Sequence, residues 1–161
     1  MTQVTTTPLK DILALVISGG GVLVAAIVAI KGFIEYRLQG AAKRSDIFLA
    51  MRSRLRNDAS FAKICDLLER NDPELAQIPL IERDRFIGFF EELAILKNSG
   101  LLNDSITLYM FGYFAIRCYD STNFWAGLNR KQPLWSLFMD FAKQQKEAEQ
   151  GFTFQRQRFR L

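Results

Sequence analysis

The chain has 161 residues, 49% hydrophobic and 24% charged, which are ordinary globular proportions. Setting aside the first thirty residues leaves enough chain for one compact domain with a real core, but not for two. There is no histidine, so the commonest general base and the commonest metal ligand are both missing. The two cysteines, Cys65 and Cys118, form no metal-ligand spacing and read as buried, reduced thiols of a cytosolic domain.

The net charge is +4, and its distribution is uneven. Residues 1–30 carry only Lys10 and Asp11. Residues 31–57 carry Lys31, Arg37, Lys43, Arg44, Arg52, Arg54 and Arg56 against Glu35 and Asp46. An acidic block over residues 58–95 follows, with Asp and Glu well in excess of Lys and Arg. A basic band ahead of an acidic block suits an anionic lipid surface.

Residues 1–11 are Thr-rich, with Pro8 just ahead of the next segment. Ile12 to Ile30 is uncharged throughout, and Ser18 is its only hydroxyl. As an α-helix this run is roughly 28 Å long, close to the hydrocarbon thickness of a bilayer. It is expected to be a single transmembrane helix. An uncleaved anchor is preferred to a signal peptide, because a basic n-region and an A-x-A site are both missing. It is also preferred to a buried soluble helix, because no polar stripe interrupts the run. Gly21, Ala25 and Ala29 are spaced four apart, a small-xxx-small ridge that would allow self-association, although Gly and Ala are common in membrane helices in any case.

The basic flank sets the expected orientation, with the N-terminus outside and residues 31–161 cytoplasmic at a bacterial inner membrane. Lys31, Arg37, Lys43 and Arg44 form the expected lipid-facing band. Residues 31–57 are predicted to continue as a basic juxtamembrane helix, with Gly40 and Ser45 as candidate breaks and Ile47, Phe48, Met51 and Leu55 along one face. The plainer reading of this helix is the solvated first element of the domain.

Residues 58–150 are predicted to form the helical domain, giving an all-α chain with a small bundle of about four to five helices. Asp58 is the candidate N-cap of a short helix carrying Phe61, Ile64, Cys65 and Leu68, which Asn71-Asp72-Pro73 stops. A brief turn is expected near residues 74–77. Residues 80–99 are the clearest helix, with Phe86, Phe89, Phe90, Leu93 and Ala94 in helical phase and Gly100 placed to end it. Asn103 or Asp104 caps a helix over residues 105–119, whose apolar stretch of eleven residues is too short to span a bilayer. Residues 121–131 read as a loop or short helix. Pro133 opens a last helix, with Leu134, Leu137, Phe138 and Phe141 expected to face inward. Residues 151–161 form a basic, aromatic tail. Its plain reading is a frayed end, and its sharper one is a membrane or nucleic-acid contact through Arg156, Arg158 and Arg160. A late strand there stays open.

Residues 86–120 carry a recurring element: Phe90, Glu91, Leu93 and Ala94 on one helix, a Gly100-Leu101-Leu102 turn, and a Phe111-Gly112 pair on the next. On these residues the chain resembles small bacterial single-pass membrane proteins with a cytoplasmic helical domain of unknown function. The resemblance implies that architecture and brings no activity with it.

No catalytic constellation is found. Glu91 and Glu92 are adjacent, so on a helix they point about 100° apart and do not form a facing pair. Glu91 reads as a partly buried carboxylate with a raised pKa, or as half of a buried ion pair with Arg117; a structural ion pair or capping role is the plainer view. No phosphate loop, dinucleotide fingerprint, zinc motif or calcium loop is present. The expectation is therefore a non-enzymatic, cofactor-free interaction or regulatory module. Its expected partners are the lipid bilayer, an unidentified protein and a second copy through the membrane helix, with nucleic acid disfavoured. The alternative is an oligomerising membrane effector, against which the lack of a polar pore-lining face counts.

Overall fold

The computed structural model describes the backbone of residues 7–153 and the side chains of residues 28–153. Among the described residues the chain is helical, with no strand. The elements are α1 (Thr7–Asn57), α2 (Ala59–Arg70), a 3-10 turn (Pro73–Gln77), α3 (Leu80–Asn98), α4 (Asp104–Thr107), a π turn (Leu108–Gly112), α5 (Tyr113–Asp120), a second 3-10 turn (Pro133–Trp135) and α6 (Ser136–Gln150). Among the described residues no helix is long and apolar enough to cross a membrane. The side chains of residues 12–27, most of the predicted transmembrane run, lie outside the described residues, as do the open reading of a late strand and the tail arginines at 156, 158 and 160.

The chain divides into two compact units, Met1–Lys43 and Arg44–Leu161. The second unit thus begins at Arg44, inside the segment read as the basic juxtamembrane helix of residues 31–57. The cause is packing: Met51 and Leu55, on the last turns of α1, are buried in the core of the second unit, with Ile47 and Phe48 packed against it. The candidate breaks at Gly40 and Ser45 are not breaks, since α1 runs through both. One glycine costs a helix interior about 1 kcal/mol, which flanking helix-formers such as Ala41, Ala42, Lys43 and Arg44 offset. In the first unit, Val28, Ile30, Phe33, Ile34, Tyr36 and Leu38 are all exposed. The Arg37 guanidinium lies 5.9 Å from the centroid of the Phe33 ring.

Phenylalanine builds the second unit. Phe86, Phe89 and Phe90 of α3 are fully buried. Phe61 of α2 meets Phe86 at 5.3 Å and Phe89 at 5.5 Å, edge to face in both cases. Phe90 reaches α6 at Phe138, 6.0 Å away, and Phe89 reaches Phe111 in the π turn at 6.1 Å. Such ring pairs add roughly 0.5–1.5 kcal/mol each beyond the area they bury.

Local chemistry sets the ends of the helices. Asp58 caps α2 by accepting from the Ser60 and Phe61 N–H groups at 2.9 and 3.2 Å. Asn71 closes it in the left-handed conformation, φ 48°. Gly100, at φ 68°, turns the chain out of α3, so that Leu101 N–H donates back to Leu96 O at 2.9 Å. Asn103 caps α4, accepting from Ser105 N–H at 2.8 Å.

Two expectations needed correction in the C-terminal half. The predicted helix over residues 105–119 contains the π turn Leu108–Gly112. The final helix begins as α6 at Ser136 after a 3-10 turn, which leaves Leu134 65% exposed instead of inward. The tighter 3-10 winding, three residues per turn, rotates Leu134 out of the phase that places Phe138 and Phe141 in the core.

Candidate interaction surface

Counting about 100° per residue from Phe86 places Leu80, Ile81 and Asp84 on the side of α3 away from the phenylalanine stripe. Leu80 and Ile81 are 55% and 64% exposed. They form one wall of an open groove of about 570 Å³. The opposite wall comes from the loop around Gly127 and Leu128 and from Leu134 and Trp135.

That loop has little regular structure, and side chains hold it in place. Arg83, only 7% exposed, donates from Nη1 to the carbonyls of Phe124 and Ala126, both at 2.8 Å. Burial lowers the pKa of the guanidinium from its ordinary value, and its Nε has no hydrogen-bond partner. Ser121 bridges two segments, donating to Asn71 Oδ1 at 2.8 Å while accepting from Phe124 N–H at 3.0 Å. Trp125 Nε1 donates to Cys118 O at 2.9 Å. Gly127 then takes φ 75°, a left-handed turn that glycine makes without steric cost.

Two polar groups at the groove are unmatched. Trp135 is 5% exposed and its Nε1–H donates to no acceptor. Asp84, half-buried, forms no hydrogen bond or ion pair among the described residues, although its charge is felt by Glu91 two turns along α3. A buried donor left unpaired costs about 1–3 kcal/mol.

The expected buried ion pair is not formed. Glu91 packs toward the first turn of α6, where the Phe138 backbone N–H favours its charged form. Desolvation by burial outweighs that contact and raises its pKa, with Asp84 adding to the rise. Its Oε1 is buried without a partner. Arg117 sits elsewhere, exposed, with its guanidinium 5.2 Å from the Tyr113 ring centroid. Glu91 faces the start of α6 while Arg117 lies exposed on α5, a placement that sequence spacing alone could not give.

The basic band is divided as well. Lys31, Arg37 and Lys43 are exposed in the first unit. Arg44 belongs to the second, where it is half-buried and lines a polar groove of about 450 Å³ with Lys97 and the turn at residues 100–104. Of the small-residue ridge, Ala29 is exposed, while the environments of Gly21 and Ala25 lie outside the described residues.

Neither cysteine looks reactive. Both are free and buried; desolvation pushes the Cys65 thiol up to about 12 and Cys118 well above its ordinary value. Among the described residues no cluster of acidic and cysteine side chains could hold a metal ion.

Sequence reading missed Arg83, Asp84 and Trp135, and placed Leu134 in the core. The available signal was Leu80-Ile81, two large apolar residues out of phase with the stripe that defines α3. Compared with known proteins, the chain matches no protein-family model, no curated protein and no solved structure.

Proposed function

We propose that this chain is a membrane-tethered helical interaction module. Residues 12–30 serve as a single spanning helix, and the unit Arg44–Leu161 works on the cytoplasmic side. The observation that carries the reading is the uncharged run of nineteen residues followed directly by a basic band. Exposed Phe33, Ile34, Tyr36 and Leu38, interleaved with Lys31, Arg37 and Lys43, support it: aromatic and basic side chains of this kind anchor a helix at the lipid headgroups. The well-packed second unit, with its open apolar groove, supports a binding role.

Membrane fractionation of the full chain tests the tether. The chain is expected to stay with the membrane pellet through an alkaline carbonate wash, and deletion of residues 12–30 is expected to release it. Full-length chain recovered in the carbonate supernatant would sink the reading.

A further inference from the structure

The geometry points to a second binding site: a groove lined by the end of α1, by α2 and by the π turn with the start of α5 holds a single alkyl chain ending in an anionic head group. The inference goes beyond the interaction-module reading and does not rest on the tether. The groove measures about 350 Å³, at the lower end of small-molecule sites, which run roughly 300–1,000 Å³. Its buried lining is Leu55, Cys65 and Phe111, with half-buried Met110 and Phe114 and exposed Ala62 beside them. None of these side chains carries an oxygen or a nitrogen. The remaining lining residues are Arg52 and Arg56, four apart and so on one face of α1. Neither makes a hydrogen bond, ion pair or ring contact among the described residues. Arg54, between them, is by contrast paired with Glu92 and lies over the Phe61 and Phe89 rings. Glu69 is the acid whose charge is felt at the lining, at Cys65, and it leaves the two guanidinia in excess.

An apolar interior with two unpaired guanidinia beside it defines one ligand chemistry. The alkyl chain asks for no hydrogen bond, and the anion takes charge-assisted bonds from the arginines. A peptide would bring amides and carbonyls against side chains that offer them no partner. An uncharged apolar molecule would leave both guanidinia unmatched. The chain's own residues 154–161 would set Arg156, Arg158 and Arg160 against Arg52 and Arg56, with no acidic side chain of their own. A bilayer phospholipid carries two chains, where a groove of this volume takes one.

The methionines give the experiment its own control. Met110 lines the groove, whereas Met139, on α6, packs against the core elsewhere. Full-length chain, labelled with 13C-methyl methionine in phosphatidylcholine nanodiscs, is titrated with octanoate, octyl phosphate and octanol. The Met110 methyl resonance is expected to move saturably with either anion while that of Met139 stays in place, and the tighter anion names the head group. Octanol is expected to bind roughly tenfold more weakly or worse, since it forgoes bonds to charged donors. Arg52→Gln combined with Arg56→Gln should weaken both anions to the octanol level and leave octanol unchanged. Ala62→Trp, at an exposed position, should fill the groove and abolish binding, with the unmoved Met139 resonance showing that the fold is kept.

The inference is overturned if neither methyl responds, if both respond alike, if octanol binds as tightly as the anions, or if the double arginine variant keeps its affinity. A Met110 shift on changing the nanodiscs to phosphatidylglycerol, with no octyl compound added, would overturn it in favour of a bilayer lipid. Tighter binding of acetyl-Leu-Leu-Glu-Leu-amide than of octanoate would overturn it in favour of an acidic peptide. Carbonate fractionation reports on the tether alone, so the groove and the anchor can fail separately.

Discussion

Glu91 and Gln145 show how single polar groups set the stability of this core. The Glu91 carboxyl has a pKa raised above 4.5, first by desolvation and further by Asp84, against the opposing Phe138 N–H. A carboxyl raised in the folded state holds more protons folded than unfolded over the window that opens upward from 4.5. Stability therefore falls as pH rises through that window and is recovered below it. Glu91→Gln is expected to raise the thermal midpoint at pH 7 and to leave it nearly unchanged near pH 4. A lower midpoint at pH 7 would mean that the Phe138 contact outweighs the burial. Gln145 is 2% exposed and its Oε1 has no partner; that oxygen lies 3.5 Å from where a Cβ on Gly112 would stand. Gln145→Met keeps the length and removes the orphaned acceptor, so it should stabilise by about 1 kcal/mol in urea unfolding.

At the scale of elements, helix ends carry the positional information. Asp58 satisfies two of the orphan N–H groups of α2, and its other oxygen takes an exposed ion pair from Arg85 at 3.2 Å. Asp58→Ala is expected to cost about 1 kcal/mol, nearly all of it from the cap, because exposed ion pairs contribute little. Gly100 sits at φ 68° with open space around the position of a Cβ. Gly100→Ala therefore meets no clash and should cost about 1–2 kcal/mol through the left-handed backbone alone. A cost near zero in chemical denaturation would show that α3 ends differently in solution. The π turn between α4 and α5 belongs to this scale as well. It brings Phe111 and Gly112 to the buried side, Phe111 against Phe89 and Gly112 beside Gln145.

For the whole molecule, the two units make separate demands. The second unit is held by rings drawn from α2, α3, the π turn, the loop and α6, all meeting the Phe86–Phe89–Phe90 cluster. Phe90 contacts Phe86, Phe89, Phe138 and Phe141, so Phe90→Ala should cost about 3–5 kcal/mol. The first unit carries the proposed tether, and its sidedness rests on charge. Replacing Lys31, Arg37 and Lys43 with Gln, while placing three lysines in residues 2–7, is expected to reverse the location of a reporter fused after Leu161. An unchanged location would show that the rest of the chain, not this band, sets the orientation.

Sequence by itself determined what is local. The 3.6-residue phase of Phe86, Phe89, Phe90 and Leu93, the cap at Asp58, a cap at Asn103 or Asp104, and the turn at Gly100 depend on neighbours within a few positions, so the helical character of the described residues and most boundaries were legible. Tertiary structure alone decided what depends on which faces meet. The end of α1 joined the second unit because Met51 and Leu55 found a core to enter. Glu91 met the start of α6 instead of Arg117, because α3 packs against α6 along that face. The groove arose because Arg83 pinned a loop forty residues away, leaving Leu80, Ile81, Leu134 and Trp135 around one opening. Periodicity assigns each residue to a side of its own helix, but only packing assigns that side a neighbour.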